Sequence, residues 1–392
     1  MERLCVAMVC ETYPPEINGV ARTVAALVGQ LLARGHDVEL VRPRQGPADR
    51  AAEQDRFWER LRPGMRIPRY PQLRFGLPSK QALLRAWQDE PPDVVHVATE
   101  GPLGWSALMA ARKLGLPVTT DFRTNFHAYS RHYGAGWSER IVAGYLRLFH
   151  NRACCTMVPT EEIARDLTQI GFERLRVVGR GVDCGLFSPA KRDPALREQW
   201  CASDDAPVAL CVSRFAPEKN FPLALDAYRA MRAVRPETRL ILVGDEGPMA
   251  RQLQRDGPGI VIAGRLEDGE LAAHYASADI FLFPSTSETF GNVTMEAMAS
   301  GLAIVACDYA AARQHILHGR SGLLVPLNDR ISFIEHAAAL ARDLPRARLL
   351  GRQARVAAEP LSWGKVAADF ETVLRETIAA PAIQLRERHA AA

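Results

Sequence analysis

Short uninterrupted apolar runs alternate along this chain with longer stretches in which apolar residues recur every three or four positions. Residues 4–9 and 38–41 read as strands buried on both faces, and between them Val20, Val24, Leu27, Val28 and Leu31 share one helix face that stops at Gly35. Residues 94–97, 118–120 and 154–158 continue the strand series, with helical spacing over 103–114, 138–149 and 160–170. Thr160, followed by Glu161 and Glu162, has the form of an N-cap with an acidic first turn. Strands alternating with helices predict an α/β fold with parallel sheets.

The alternation breaks once. After the segment 179–189 the chain turns polar and proline-marked to about Pro207, and then strands are predicted near 208–212, 239–243, 260–263, 280–283 and 303–306 with helices between them. Two doubly wound, Rossmann-like domains facing across a cleft follow, spanning 1–185 and 205–360 with the linker between. A last amphipathic helix, about 361–379, is apolar at Trp363, Val366, Ala367, Phe370, Val373 and Leu374 and has no strand after it to serve. It is expected to cross back onto the first domain, and residues 380–392 to fray.

Composition agrees with two soluble cores. The chain has 392 residues, 47% hydrophobic and 24% charged, too long for one ordinary core, and it lacks the roughly 18 consecutive apolar residues a bilayer span needs. Residues 4–9 are too short for the apolar core of a signal peptide, so the cytoplasm is the expected location. Eight cysteines without Cys-x-x-Cys spacing suit core thiols better than zinc or disulfide frameworks. Net charge is only +4, but Arg56, Arg60, Arg62, Arg66, Arg69, Arg74, Lys80 and Arg85 face a single acid, Glu59, with Phe57, Trp58, Tyr70 and Phe75 interleaved. Two readings stand level: a peripheral contact with the anionic inner face of the cytoplasmic membrane, or a solvated, proline-broken loop. No nucleic-acid-binding motif accompanies the run.

Four segments carry candidate chemistry. In residues 287–296, Glu288 and Glu296 lie eight apart around a turn that opens a helix. They sit too far apart for a close acid/base pair but suit separate sugar hydroxyls, while helix-start amides at Gly291, Asn292 and Val293 would face an anion such as a diphosphate. In residues 11–20, which link the first strand to its helix, Gly19 would let a phosphate approach the backbone. In residues 213–220, Arg214 and Lys219 could neutralise a diphosphate leaving group without metal, the plainer alternative being a surface ion pair with Glu218. Residues 119–134 leave a strand end dense in polar groups, among them Asp121, Arg123, Asn125 and His127, a combination commoner in sites than in linkers.

These segments, in this order, resemble the retaining nucleotide-sugar glycosyltransferases of family 4, which have the two-domain GT-B fold. Gly181-Val182-Asp183, Phe187-Ser188-Pro189, Gly264-Arg265-Leu266-Glu267, Ser277-Ala278-Asp279 and Phe283-Pro284-Ser285 also look like landmarks of that family, and the spacing of Glu288 and Glu296 is its most specific mark. The resemblance implies that Glu296 holds the ribose hydroxyls and Glu288 the donor sugar near its 3- and 4-hydroxyls. It further implies Arg214 and Lys219 on the diphosphate, Gly19 and the amides near Phe290, Gly291, Asn292 and Val293 on phosphate and sugar, His127 by the 6-hydroxyl, and Arg265 and Leu266 flanking the base. Where members commonly carry a Gly-Gly-rich turn, this chain has Asp308-Tyr309-Ala310-Ala311-Ala312.

The resemblance implies retention by front-face attack, with the leaving phosphate helping to accept the acceptor's proton. No Asp-x-Asp occurs in the sequence, so neither a bound metal nor another cofactor is expected beyond the donor, and the two cations would take the metal's part. The pattern around Asn125, His127, Tyr129 and His132 looks most like GDP-mannose-dependent alpha-mannosyltransferases and their glycolipid-making relatives, with UDP-glucose or UDP-glucuronate open as donor and a lipid or glycan as acceptor. Two rivals are a hexosamine 2-epimerase, whose motifs are not found, and a non-catalytic subunit that binds a nucleotide sugar, which would have no need of Glu288, Glu296, Arg214, Lys219 and His127 together.

Overall fold

The computed structural model describes residues 2–16, 18–67, 70–123, 136–244, 252–253, 257–288 and 290–380. The chain divides into two compact units, Met1–Arg180 with Trp363–Ala392, and Gly181–Ser362. The boundary thus falls at Arg180, ahead of the proline-marked stretch expected to link the domains. That stretch packs as part of the second unit: Arg197 is buried and donates to the carbonyls of Ser277 (2.9 Å) and Ala206 (2.8 Å) and to Asp279 (3.1 Å).

The first unit carries β1 (Cys5–Val9), β2 (Asp37–Pro43), β3 (Glu53–Gln54), β4 (Phe57–Arg62), β5 (Gly64–Ile67), β6 (Tyr70–Gly76), β7 (Val94–Val97), β8 (Val118–Asp121), β9 (Cys155–Val158) and β10 (Leu175–Val177). Eight of these form a sheet in the order β10-β9-β8-β7-β1-β2-β4-β3, and β5 and β6 form a separate hairpin. All pairs in the sheet are parallel except β3 with β4. Val6, Ala7, Met8 and Val9 have no exposed surface, as a strand covered by helices on both faces requires. Those helices include α1 (Gly19–Ala33), α2 (Lys80–Asp89), α3 (Pro102–Leu114), α4 (Gly136–His150) and α5 (Glu161–Gln169). Thr160 caps α5 through the amide of Ile163 (3.2 Å).

Residues 56–85 are therefore not an irregular loop. They supply β4, the β5–β6 hairpin and the start of α2. Strand β4 is fully buried only at its first position yet pairs along its whole length with β2, and Arg60 finds Glu39 and Glu59 finds Arg42 on that neighbour.

The second unit carries β11 (Val208–Val212), β12 (Arg239–Val243), β13 (Ile260–Gly264), β14 (Ile280–Phe283), β15 (Ala303–Cys307) and β16 (Leu323–Val325), in the order β13-β12-β11-β14-β15-β16 and parallel throughout. Its helices include α6 (Pro194–Gln199), α7 (Phe221–Val234), α8 (Asp268–Ser277), α9 (Asn292–Ala299), α10 (Ala310–His315), α11 (Arg330–Arg342) and α12 (Leu344–Ala358). The last helix, α13 (Trp363–Ala379), belongs to the first unit, where Phe370 and Leu374 enter one buried cluster with Leu27, Leu31 and Met8. Glu371 on its polar edge takes Arg34 (2.7 Å) and Arg375 (2.7 Å). These cations hold its carboxyl down at about 2 against the opposing effect of burial.

In each sheet the strand order reverses once, between β1 and β7 in the first and between β11 and β14 in the second. A doubly wound sheet opens a ligand crevice beyond the carboxyl ends of its strands at such a point.

Candidate active site

The reversal in the second unit is flanked by the loops that follow β11 and β14, and their side chains meet there. Pro217–Lys219 forms a single 3-10 turn after β11, ended by Asn220 in the left-handed conformation (φ 52°). This turn aims the Lys219 ammonium at the Glu288 carboxylate, which sits in the loop after β14. The two side chains are only 12% and 15% exposed, and the ammonium lies 6.0 Å from the Phe283 ring centroid. The loops are also stitched through backbone, as the Thr286 N–H donates to the Glu218 carbonyl (3.1 Å).

Gly291 turns the chain from that loop into α9. Its φ of 94° is a left-handed value that a side chain would resist. The Thr294 N–H bonds back to the Gly291 carbonyl (3.0 Å), while the Asn292 and Val293 amides have no acceptor among the described residues. Phe290 is buried and its carbonyl accepts from the Ala311 N–H (2.8 Å), tying the turn to α10. Glu296 lies about one helical turn further on, and the Tyr275 hydroxyl of α8 donates to it (2.9 Å). Glu288 and Glu296 thus have different partners, one a cation and the other a phenol. At the end of β12, Gly244 is packed so closely that a Cβ would lie 2.1 Å from the Ser213 carbonyl oxygen.

The other expected residues fall less centrally. Arg214 has a side chain 73% exposed and pairs with Glu218 (3.3 Å), whereas Lys219 takes Glu288. Arg265 is exposed and Leu266 half-buried at the end of β13, Leu266 against the core. In the first unit, Gly19 is the first residue of α1, and the Asn18 side chain accepts from the Val20 (3.0 Å) and Ala21 (2.9 Å) amides. The Val20 and Ala21 amides are thus already taken by this cap. His127 lies outside the described residues.

The strand ends beside the first reversal hold further buried charged residues, of which Asp121 and Arg123 were named from the sequence for their polarity alone. Glu11, after β1, is buried and accepts from the amides of Leu103 (2.9 Å) and Gly104 (3.4 Å) at the start of α3, and from Gly76. Burial pushes its carboxyl up, and these three amides oppose that shift. At the last position of β8, Asp121 is buried against Arg123, with Arg180 at 3.7 Å and His96 at 3.9 Å. Burial would raise its pKa, but Arg123 and Arg180 outweigh it and hold the carboxyl below its usual range. Burial also drives His96 down to about 4 and, with Arg123 beside it, Arg180 down to about 9. Asp121 and Arg123 were legible only as polar strand-end residues. Tyr275 carried no signal, since its distance from Glu296 is set by packing of α8 against α9.

Two family descriptions match the sequence: Glycosyltransferase Family 4 over residues 17–186 and Glycosyl transferases group 1 over residues 206–343. The chain is 34% identical over 371 residues to a GDP-mannose-dependent alpha-mannosyltransferase of Mycobacterium tuberculosis, covering 91% of this chain and 94% of that protein. It is 25% identical over 392 residues to an alpha-monoglucosyldiacylglycerol synthase of Acholeplasma laidlawii, covering 95% and 97%. In structure it is similar to a sucrose-phosphate synthase from Thermosynechococcus elongatus, with a TM-score of 0.76, 20% identity, and coverage of 97% and 100%.

Proposed function

The chain belongs to glycosyltransferase family 4 and is a hexosyltransferase of the GT-B fold, and we propose that it moves mannose from GDP-mannose to a hydroxyl of a lipid or glycan acceptor with retention at the anomeric carbon. The observation that carries the reading is the Lys219 and Glu288 pair at the strand-order reversal of the second unit, beside the left-handed turn that opens α9. As the sugar leaves, negative charge grows on the β-phosphate. Lys219 and the Asn292 and Val293 amides supply fixed positive charge there, in a site where water screens little. Arg214 joins them by leaving Glu218 when the donor enters.

Glu288 then accepts hydrogen bonds from the sugar hydroxyls, and Glu296, oriented by Tyr275, accepts from the ribose. No carboxylate is cast as general base; the departing phosphate takes the acceptor's proton. The first unit takes the acceptor, and His127 contacts the sugar's 6-hydroxyl. GDP-mannose is preferred because the relative aligned over 94% of its length carries that donor in its name. A UDP-glucose-dependent glycolipid transferase is the second reading, supported by the resemblance to a monoglucosyldiacylglycerol synthase over nearly the whole chain.

Nucleotide release from a panel of GDP- and UDP-sugars, incubated with a bacterial lipid extract, tests the donor. Turnover with GDP-mannose is expected to exceed that with UDP-glucose by about tenfold or more; the opposite order would reject mannose. Because the cations take the part of a metal, a chelator is expected to leave turnover unchanged, and loss restored by a divalent ion would refute that assignment.

A further inference from the structure

Beyond β2 and β4 in the first unit, a groove of about 640 Å³ opens, lined by Arg44, Arg62 and Arg74 with Pro47, Leu61 and Gly64. Both strands are parallel to β1, so the groove lies at the same carboxyl edge as the loop carrying Gly19. Its far wall is the β5–β6 hairpin, fastened to this edge where the Gly76 N–H donates to Glu11 and the Leu77 N–H to the Pro63 carbonyl (2.8 Å). No acid lines it. Arg44 spends a guanidinium N–H on the Asp49 carbonyl (2.7 Å) and Arg62 one on the Leu61 carbonyl (2.9 Å), both neutral acceptors.

The nearby carboxylates are already engaged: Asp49 and Glu59 by Arg42, and Glu39 by Arg60 and the Trp87 indole. Among the described residues, Glu16, which accepts from Thr12 (2.5 Å), adds negative charge beside Arg74, and Asp49 and Glu39 act at longer range on Arg44 and Arg62. Across the hairpin, Arg66 stands directly opposite Arg74, a like-charge pairing that costs stability unless an anion offsets it. Guanidinium forks gathered without carboxylates match the geometry of a phosphate or carboxylate.

We propose that this groove binds an oxyanionic group, phosphate or carboxylate, carried by the acceptor or by the lipid surface that presents it. It rests on the reading of the first unit as the acceptor side.

The test uses the full chain, Arg62→Gln, Arg74→Gln and the triple variant with Arg44→Gln. Three readouts are taken: calorimetric binding of inorganic phosphate, co-sedimentation with phosphatidylcholine vesicles with or without phosphatidylglycerol, and nucleotide release from GDP-mannose without acceptor. Phosphate affinity is expected to fall about tenfold or more in the triple variant and less in the single ones, with acceptor-free nucleotide release unchanged. If binding to phosphatidylglycerol vesicles falls in parallel, the oxyanion comes from the lipid surface; if only phosphate binding falls, it comes from the acceptor. The proposal is overturned if the wild type binds neither probe, or if the triple variant binds both as the wild type does. The single variants, with thermal unfolding as control, separate loss of the site from misfolding of the triple variant. Failure of every donor to release nucleotide would remove the transferase reading while leaving the phosphate result to judge the groove.

Discussion

Lys219 and Glu288 lie 69 positions apart and meet because the strands before them are neighbours in the sheet. Each neutralises the other; on the proposed function, a donor diphosphate would draw the ammonium away from the carboxylate and free the carboxylate for sugar hydroxyls. Lys219→Ala is expected to lower kcat by about a hundredfold or more while shifting the thermal midpoint by only about a few degrees; an unchanged kcat would remove the phosphate role. Tyr275→Phe keeps the buried ring and deletes one hydrogen bond to Glu296. Donor KM should rise about fivefold with kcat little changed, a loss of about 1 kcal/mol, measurable by steady-state kinetics. Glu296 was readable from its eight-residue spacing to Glu288, whereas Tyr275 was not, because it belongs to another helix and looks like any core tyrosine. Arg214 shows the reverse limit: its spacing to Lys219 was legible, but which carboxylate each cation would choose depended on how the loop folds.

At the scale of elements, the strands that could be read were those buried on both faces, where an apolar run is required by the covering helices. The β5–β6 hairpin and β4 escaped because they are held by charge pairs and by edge pairing, which leave no apolar run. The last helix illustrates the same division. Its amphipathic face was evident, but the sheet it serves follows from where Phe370 finds a cavity, beside His96 at 4.8 Å between ring centroids. Phe370→Ala should destabilise the first unit by about 3–5 kcal/mol, seen as an earlier urea midpoint. Gly244→Ala should damage the second unit instead, since the added methyl meets the Ser213 carbonyl oxygen at 2.1 Å; proteolysis mapping would show the cleavage in residues of that unit.

For the molecule as a whole, each unit contains a histidine that burial drives to about 4, His96 in the first and His315 in the second. Both are neutral when folded and protonate near pH 6.5 when unfolded. Below that pH the unfolded chain therefore binds more protons, and stability falls as the pH drops from about 6.5 toward 4, by up to about 1.4 kcal/mol per pH unit for each histidine. Urea midpoints measured at pH 7 and pH 5 should show the decline, and His315→Asn should make it shallower. The sequence alone determined the fold class, the two-unit plan and the family, because buried parallel strands, helix periodicity and the motif spacings are local properties written along the chain. Only the tertiary structure decided that the boundary falls at Arg180, that Glu288 takes Lys219 while Glu296 takes Tyr275, and that three arginines share a groove with no acid among its described lining residues. Those outcomes depend on which strands become neighbours and which buried charges find partners, and both are settled when distant segments pack together.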